Sequence, residues 1–573
     1  MLIERRTPCR GEDALPDDLP PLLRRVYLNR GIGSGKELDL ALGNLQDAEA
    51  LGGLEQAVTL LQQALEEGRR ILIVGDFDAD GATSSALAIR ALRAMGARDI
   101  HYLVPNRFDF GYGLTPPLVE LADTIHPWLI ITVDNGISSI DGVAEARERG
   151  MHVLVTDHHL PPEELPAADA IVNPNLQDDE FPSKALAGVG VIFYVMVALR
   201  SCLRSLGWFE SKGIAEPNMA DYLDLVALGT VADLVPLDRN NRILVQNGLQ
   251  RIRAGRCCAG IMALIDVSRR DLATVTSTDL GFFVGPRLNA AGRLEDMSVG
   301  IECLLTDDPQ EARDLAQQLD SLNRQRRDIE NAMKEQALAA LESLHLASEA
   351  VPAGICLFDD DWHQGVVGIV ASRVKEQYHR PVIVFAAESR EMLKGSARSI
   401  QGVHIRDLLD AIATRHPGLI SKFGGHAMAA GLSLPRSNLE KFRELFDRFV
   451  RKQVDEQQLR GHLLSDGLLS KEELTLDHAR MLRDAGPWGQ GFPEPLFDDR
   501  FLVLDQRIVG DHHLKLKLAP EQYPELRLEA IAFNQADAHI VKTGQLIQAA
   551  YRLDINTYMG RESLQLIIQA IIE

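Results

Sequence analysis

Three short apolar runs in the first third of the chain each end on aspartate: "ILIVGDFDAD" (71–80), "LIITVDNG" (129–136) and "HVLVTDHH" (152–159). Each is rich in Ile and Val, and helical stretches separate them. A short β-branched run reads as a buried strand, and strands that alternate with helices pair into a parallel sheet. In an open parallel sheet ligands bind outside the carboxyl ends of the strands. The pattern therefore brings Asp76, Asp78, Asp80, Asp134, Asp157, His158 and His159 to one edge. "AIV" at 170–172 supplies a further strand.

Acids at a sheet edge are either caps and turns or a cation site. Asp76, Asp78, Asp80 and Gly81 match the opening of an EF-hand loop. That reading fails, because position 12 is Leu87 instead of a bidentate Glu and a strand precedes the loop. A single acidic turn is explained by the favourable place of a carboxylate at a helix N-terminus. Several converging turns are not, because crowded carboxylates repel one another unless cations hold them. "VALGTVADLVPL" (226–237) adds Asp233, a lone acid in an apolar stretch. A carboxylate there is unfavourable unless paired or metal-bound. Oxygen donors with one or two imidazoles suit Mn²⁺ or Mg²⁺ better than structural zinc.

The chain has 573 residues, enough for several domains. Its net charge of −22 argues against a general basic surface that coats nucleic acid. Bound cations or a local basic groove can still meet phosphates. The six cysteines form no C-x-x-C pair and indicate neither a zinc site nor a disulfide framework. No apolar run reaches the roughly 18 residues of a membrane span. The stretch "MLIERRTPCRGEDALPDD" lacks the apolar core of a signal peptide. A cytoplasmic protein without membrane contact is the expectation.

The expected organisation is an N-terminal segment (1–50), a parallel-sheet α/β domain (51–305), a helical linker (306–351), a second α/β domain (352–460) and a C-terminal β domain (461–573). The linker opens with Asp308 as N-cap and Pro309 at the first helical position, and no Gly or Pro follows from Gln310 to Val351. The last segment holds short runs, several with period two, such as "HLKLKLA" and "LRLEAIAF". They predict an antiparallel β domain, a small OB-like barrel. A second "DHH" at 511–513 precedes such a run and reads as a hairpin turn.

The set "DFDADG", "VDNG", "TDHH" and "GTVAD" resembles the motifs of the DHH phosphoesterase superfamily. "GGHAMAAGLSL" (424–434) resembles the glycine-rich motif of its companion DHHA1 domain. The segments "PNRFDFGYGL", "GPRLNAAGR" and "KGSARS" and the C-terminal β domain narrow the resemblance to the single-strand-specific 5′-to-3′ DNA exonucleases of this superfamily. It covers nearly the whole chain.

The resemblance implies two Mn²⁺ or Mg²⁺ ions held by Asp78, Asp80, Asp134, His158 and Asp233, with His159 beside them at the scissile phosphate. Many members carry a His where this chain has Val74; Asp76 is the expected compensation. The catalytic roles fall on Asp80, Asp134 and His159. Arg107, Ser396 and Arg398 are expected at the 5′ end of the strand, since a guanidinium fork suits a phosphate. Arg287 and Arg293 are expected on backbone phosphates. Gly424 and Gly425 permit close backbone approach, and His426 can donate to phosphate. Phe533, Tyr551 and Tyr558 either stack on bases or fill the core. The implied partners are single-stranded DNA with a 5′ end, a single-strand-binding protein and a helicase, with the chain a monomer in DNA repair and recombination. Two competing readings are a small-molecule phosphoesterase and a catalytically dead DNA-binding scaffold. The C-terminal domain disfavours the first and the intact motif acids disfavour the second.

Overall fold

The apolar runs of the first domain form strands β1 (Ile71–Gly75), β2 (Ile100–Leu103), β3 (Leu129–Val133), β4 (His152–Thr156) and β5 (Ala170–Val172). They make a five-stranded sheet in the order β2-β1-β3-β4-β5, with every pair parallel. β1 and β3 are buried throughout, as strands covered on both faces must be. On one face Ile71, Ile73 and Ile131 pack with helices α1 (Ala79–Ala94), α2 (Gly188–Ser205) and α3 (Leu223–Ala232). On the other, Leu72, Val74, Ile130 and Val153 join a separate cluster. The winding direction reverses between β1 and β3, and such a reversal opens a crevice at the carboxyl ends of the strands. The acidic turns after β1 and β3 flank it. Helix α4 (Gly285–Leu294) packs against α1 and α3.

The structure is a computed structural model that describes the chain apart from residues 1, 10–14, 106–111, 348–351, 455–458, 460, 511, 536–540, 559 and 573, and apart from the side chains of 340–347 and 558. Helix α2 is long and apolar enough to cross a membrane by length and composition, although Arg200 and Arg204 interrupt its apolar run, as the sequence led one to expect. Its residues from Gly188 to Met196, with Leu199 and Leu203, are buried within the protein, so it serves as a core helix.

The chain divides into two compact units: Arg5–Asn323 with Leu464–Glu573, and Met1–Glu4 with Arg324–Leu463. The division falls inside helix α5 (Pro309–Ala347), which Asp308 caps by accepting the N–H groups of Gln310 and Glu311. The expected linker is thus one helix over most of its length.

The unit that holds residues 324–463 carries strands β6 (Ile355–Phe358), β7 (Val382–Ala387), β8 (Met392–Arg398), β9 (Lys422–Gly425) and β10 (Ala429–Pro435). Their order is β9-β10-β8-β7-β6. Along β8, Leu393, Gly395 and Ala397 are buried while Lys394, Ser396 and Arg398 are half-buried on the opposite face. Helix α6 (Val367–Tyr378) covers β6 and β7 on that face through Val370, Ala371 and Val374.

In the larger unit the C-terminal strands close into a barrel: β11 (Phe497–Val509), β12 (His513–Pro520), β13 (Leu528–Ala532), β14 (Leu546–Tyr558) and β15 (Arg561–Ile572), in the order β11-β12-β13-β15-β14. The pairs are antiparallel except β13 with β15, which is parallel, so the barrel is not wholly antiparallel as expected. Closure removes the free edges, and it sets side by side two strands that run in the same direction. The stretch 511–513 lies at the β11–β12 hairpin, although Asp511 is outside the described residues. Tyr551 is fully buried against Phe497 and Phe501, so it fills the core. Phe533 is 47% exposed and meets His513 edge-on. The Tyr558 side chain lies outside the described residues.

The N-terminal segment, the parallel-sheet domain and the barrel pack as one compact unit. The buried Arg30 guanidinium forks onto Asp466, with both nitrogens 3.0 Å from its oxygens, and stacks over Trp488. Pairing and fork geometry make that burial tolerable.

Candidate metal centre

The turn after β1 is built by its own carboxylates. Asp78 is the N-cap of α1, its Oδ1 accepting the N–H groups of Asp80 (2.9 Å) and Gly81 (3.0 Å). Asp76 Oδ1 accepts the Phe77 N–H at 2.8 Å. Asn289 of α4 accepts the Ala79 N–H at 2.8 Å. Gly292 on the same helix sits so close that a Cβ there would lie 1.8 Å from the Phe77 carbonyl oxygen. The "GPRLNAAGR" stretch therefore braces the acidic turn.

Asp80 reaches across to α2. Its Oδ2 accepts the Gly188 N–H at 2.6 Å and its Oδ1 the Val189 N–H at 2.9 Å, which satisfies two orphan donors of that helix. Gly188 also admits Asp134 beside it, because a Cβ there would lie 2.5 Å from Asp134 Cβ. Asp134 has a left-handed backbone with φ of 61°, a conformation that Asp and Asn enter more readily than most residues. Next to it, Asn135 donates to the carbonyls of Val74 and Val133 and ties the ends of β1 and β3 together. The Val74 side chain is buried in the apolar cluster on the far face.

The turn after β4 is organised by Asp157. Its Oδ1 accepts the N–H groups of His158 (2.7 Å) and His159 (3.0 Å) and contacts His159 Nδ1 at 2.7 Å, and its Oδ2 accepts the Ile137 N–H at 2.9 Å. Asp157 is thereby an orienting group with its oxygens engaged. His158 Nε2 lies 3.1 Å from Asp134 Oδ1 and 3.5 Å from Asp233 Oδ2.

The candidate ligands fall into neighbouring groups. Ligand atoms of Asp76, Asp78 and Asp134 lie within 4.8 Å of one another, and so do those of Asp80, His158 and Asp233. These two triads share no residue. A further grouping joins Asp134, His158 and His159. Burial, with the Asp78 charge beside it, raises the Asp80 carboxyl to about 7. Burial and then Asp80 push Asp134 well above the usual carboxylate range, and the same two causes act on Asp233. Asp134 Oδ1 is buried and accepts no hydrogen bond. Crowded, desolvated carboxylates with one imidazole are a donor set that fits hard divalent cations such as Mn²⁺ and Mg²⁺.

His159 is different. Burial disfavours its charge, but the hydrogen bond to Asp157 and the fields of Asp157, Asp76 and Asp78 outweigh this and carry it to about 9. The Tyr112 ring packs edge-on against both His159 (5.9 Å) and Phe77 (6.1 Å), with its hydroxyl 3.3 Å from His159 Nδ1. Tyr112 and Asn289 escaped the sequence reading as site residues, and Asp157, placed at this edge by that reading, was given no orienting role. Tyr112 and Asn289 lie in stretches that narrowed the family resemblance, where only the arginines were given roles.

The expected substrate contacts are placed unevenly. Arg107 lies outside the described residues. Arg287 is corrected: its guanidinium is buried, with Nε 2.9 Å and Nη2 2.8 Å from Asp320 Oδ1. A buried arginine paired with a buried aspartate joins α4 to α5 and is not presented to a phosphate. Arg293 is half-buried in the last turn of α4. In the other unit Arg398 Nη1 donates to Ser396 Oγ (3.0 Å) and to the Ala397 carbonyl (2.8 Å). Gly368, in the first turn of α6, packs close to both: a Cβ there would lie 2.9 Å from Arg398 Nη2 and 2.9 Å from Ser396 Oγ. Gly431 pairs with Ser396 on one side and with Gly424 on the other. Gly425 has φ of 138°, and the exposed His426 begins the turn of that hairpin. Ser396, Arg398, Gly424, Gly425 and His426 thus share one region of one sheet.

Comparison with known proteins places these features in a family. Family models match residues 70–230 (DHH family, N-terminal domain), 349–452 (DHHA1 domain) and 465–570 (RecJ OB domain). The chain is 56% identical to the single-stranded-DNA-specific exonuclease RecJ of Dickeya dadantii, over 99% of this chain and 98% of that one. It is 54% identical to the Escherichia coli protein of the same name, over 97% and 96% of the two chains. The crystal structure of Thermus thermophilus RecJ in complex with Mn²⁺ superposes with a TM-score of 0.80 at 30% identity, covering 100% of this chain and 79% of that one. The Mg²⁺ complex of that protein gives 0.75 at 28% identity. With all three domains matched and such relatives along almost its whole length, the chain belongs to the RecJ family of single-stranded-DNA-specific exonucleases, metal-dependent hydrolases built on a DHH domain.

Proposed function

We propose that this chain hydrolyses the phosphodiester bonds of single-stranded DNA from the 5′ end, at a two-ion Mn²⁺ or Mg²⁺ centre. The observation that carries the proposal is the pair of ligand triads at the crevice between β1 and β3. Asp76, Asp78 and Asp134 would hold one ion, and Asp80, His158 and Asp233 the other. When bound, such a pair lowers the pKa of an attacking water and neutralises charge on the reacting oxygens. The protein residues set the rest. Asp157 fixes the ring of His159 and favours its protonated form. His159 can then donate to a non-bridging phosphate oxygen as charge grows there.

An exonuclease also needs a group that reads an end. A terminal phosphate carries more charge than an internal diester, so charge-assisted contacts distinguish it. Ser396 and Arg398, beside the first turn of α6, offer a hydroxyl, a guanidinium and helix N–H groups in one place. Arg107 belongs to the same end-reading set. Arg293, Gly424, Gly425 and His426 contact the backbone of the strand. The family resemblance supports a monomer that works beside a single-strand-binding protein and a helicase.

The test is incubation with Mn²⁺ and, separately, 5′-labelled single-stranded DNA, duplex DNA, pyrophosphate and a cyclic dinucleotide. Release of labelled nucleotide from the single strand alone is expected. Comparable hydrolysis of pyrophosphate or of the cyclic dinucleotide would overturn the reading, and so would binding of the single strand without cleavage.

A further inference from the structure

Leu234 follows Asp233 directly, is 65% exposed and has φ of 61°. A left-handed backbone is unfavourable for a residue with a Cβ, and Leu lacks the polar group with which Asp or Asn offsets it locally. An exposed leucine also gains nothing from burial. Strained positions persist where their surroundings over-determine them, and they cluster at ligand clamps.

The surroundings here are rigid. The Leu234 N–H donates to the Val231 carbonyl in α3 at 3.3 Å, and the Leu237 N–H donates to the Gln490 carbonyl at 2.7 Å. A Cβ at Gly489 would lie 2.8 Å from Leu237 Cδ1, and one at Gly491 3.2 Å from Pro236 Cβ. Residues 233–237 are thus held between α3 and the segment that leads into the barrel. That clamp presents Leu234 to solvent beside Asp233, whose Oδ2 is 3.5 Å from His158 Nε2. A second exposed apolar group is Phe282, at 69%, in the π-helical turn Leu280–Val284. Its neighbour Gly281 packs against Val231, with 3.1 Å from a Cβ there to Val231 Cγ1. Single π turns often mark functional sites. Two exposed apolar side chains therefore flank the end of α3 that carries Asp233.

The carboxylates and imidazoles of the centre suit metal and phosphate. An unpaired, unstacked nucleobase presents an apolar face, which calls for an apolar or aromatic partner. We infer that Leu234, with Phe282, is a base-contacting element of the active site, packing on the nucleobase beside the scissile phosphate. The inference rests on the exonuclease reading above. It assigns part of the preference for single strands to this contact, because a duplex keeps its base faces stacked.

The experiment uses the full chain with Mn²⁺ and 5′-phosphorylated oligonucleotides, either normal or with abasic residues at the 5′-terminal positions. Leu234→Gly removes the apolar group and relieves the left-handed strain, so its thermal midpoint should equal or exceed that of the unaltered chain. Phe282→Ala alters an exposed side chain and should melt like the unaltered chain as well. On normal oligonucleotides each variant should raise KM about tenfold, the scale of one lost base contact. On abasic oligonucleotides the unaltered chain should already show the raised KM, and the variants should add nothing. Unchanged KM on normal strands overturns the inference. So does an equal loss on normal and abasic strands. Failure of the unaltered chain to cleave any single strand would instead bring down the exonuclease reading and this inference together.

Discussion

Asp134 stands where backbone strain, burial and charge repulsion meet. Asn is isosteric with it and tolerates the left-handed region. Asp134→Asn should therefore abolish hydrolysis while raising the thermal midpoint in EDTA, because it removes one of several repelling buried charges. The pH dependence follows the same cause. The Asp80 carboxyl is raised from 3.8 to about 7 on folding, so between those values the folded state holds a proton that the unfolded state has released. Stability must then fall as pH rises through that window. His159, raised from 6.5 to about 9, adds stability that is full below 6.5 and is lost toward 9, a fall of the same sign. Calorimetry in EDTA should show the midpoint dropping from about pH 5 to about pH 8, less steeply in Asp134→Asn, and Mn²⁺ should suppress the drop. A midpoint indifferent to both pH and Mn²⁺ would remove the crowded-carboxylate account. A separate residue-level expectation concerns Arg398. Arg398→Ala should raise KM for 5′-phosphorylated strands roughly 10- to 150-fold more than for 5′-hydroxyl ones, the worth of a lost charged hydrogen bond. Equal losses on the two substrates would move the end-reading role to Arg107.

Among the elements, α2 links fold and site most directly. Its first N–H groups hold Asp80, and its first residue lies against Asp134. Gly188→Ala should therefore act on both at once. Overpacking of this kind costs about 1–3 kcal/mol, and the displaced Asp134 should weaken Mn²⁺ binding. Thermal melts across a Mn²⁺ titration would show both effects; a variant with a lower midpoint but unchanged Mn²⁺ response would mean that Gly188 serves packing alone. The strands of the first sheet were readable from sequence because a two-faced buried strand is a continuous β-branched run. Helix α5 was readable from its cap and its freedom from Gly and Pro. The parallel pairing of β13 with β15 was not, since local periodicity carries no information on which strands close a barrel. The π turn at Leu280–Val284 was equally invisible, because its residues look like any apolar helical stretch.

For the whole molecule, the barrel is part of the unit that holds the metal centre. Deleting 465–573 would strip Asp466 from the buried Arg30 and Gln490 from Leu237, so truncation cannot separate DNA grip from folding. Asp466→Ala removes that carboxylate, together with its bonds from Asn29 and the Leu496 N–H, while keeping the barrel. A buried charge left without its partner costs about 3–5 kcal/mol, and urea denaturation should show a loss of that size. A loss under about 1 kcal/mol, the scale of an exposed pair, would mean that Arg30 finds water or another partner.

What the chain determines by itself is where the chemistry gathers. A parallel sheet sends every strand end to one edge, so aspartates written after "ILIV", "LIITV" and "HVLVT" must converge, whatever the surrounding loops do. What only the tertiary structure decided is the part each polar group plays. Asp157 looks locally like Asp134, yet the Ile137 N–H and the His159 ring engage its oxygens, while Asp134 Oδ1 accepts no hydrogen bond. Arg287 reads as a phosphate contact until Asp320, on another helix, claims it. Leu234 is an ordinary apolar residue until its backbone turns left-handed and exposes it beside a metal ligand. In each case a deciding partner lies well along the chain, as Ile137 does for Asp157, or in the backbone geometry that packing imposes, and the local pattern of residues does not encode it.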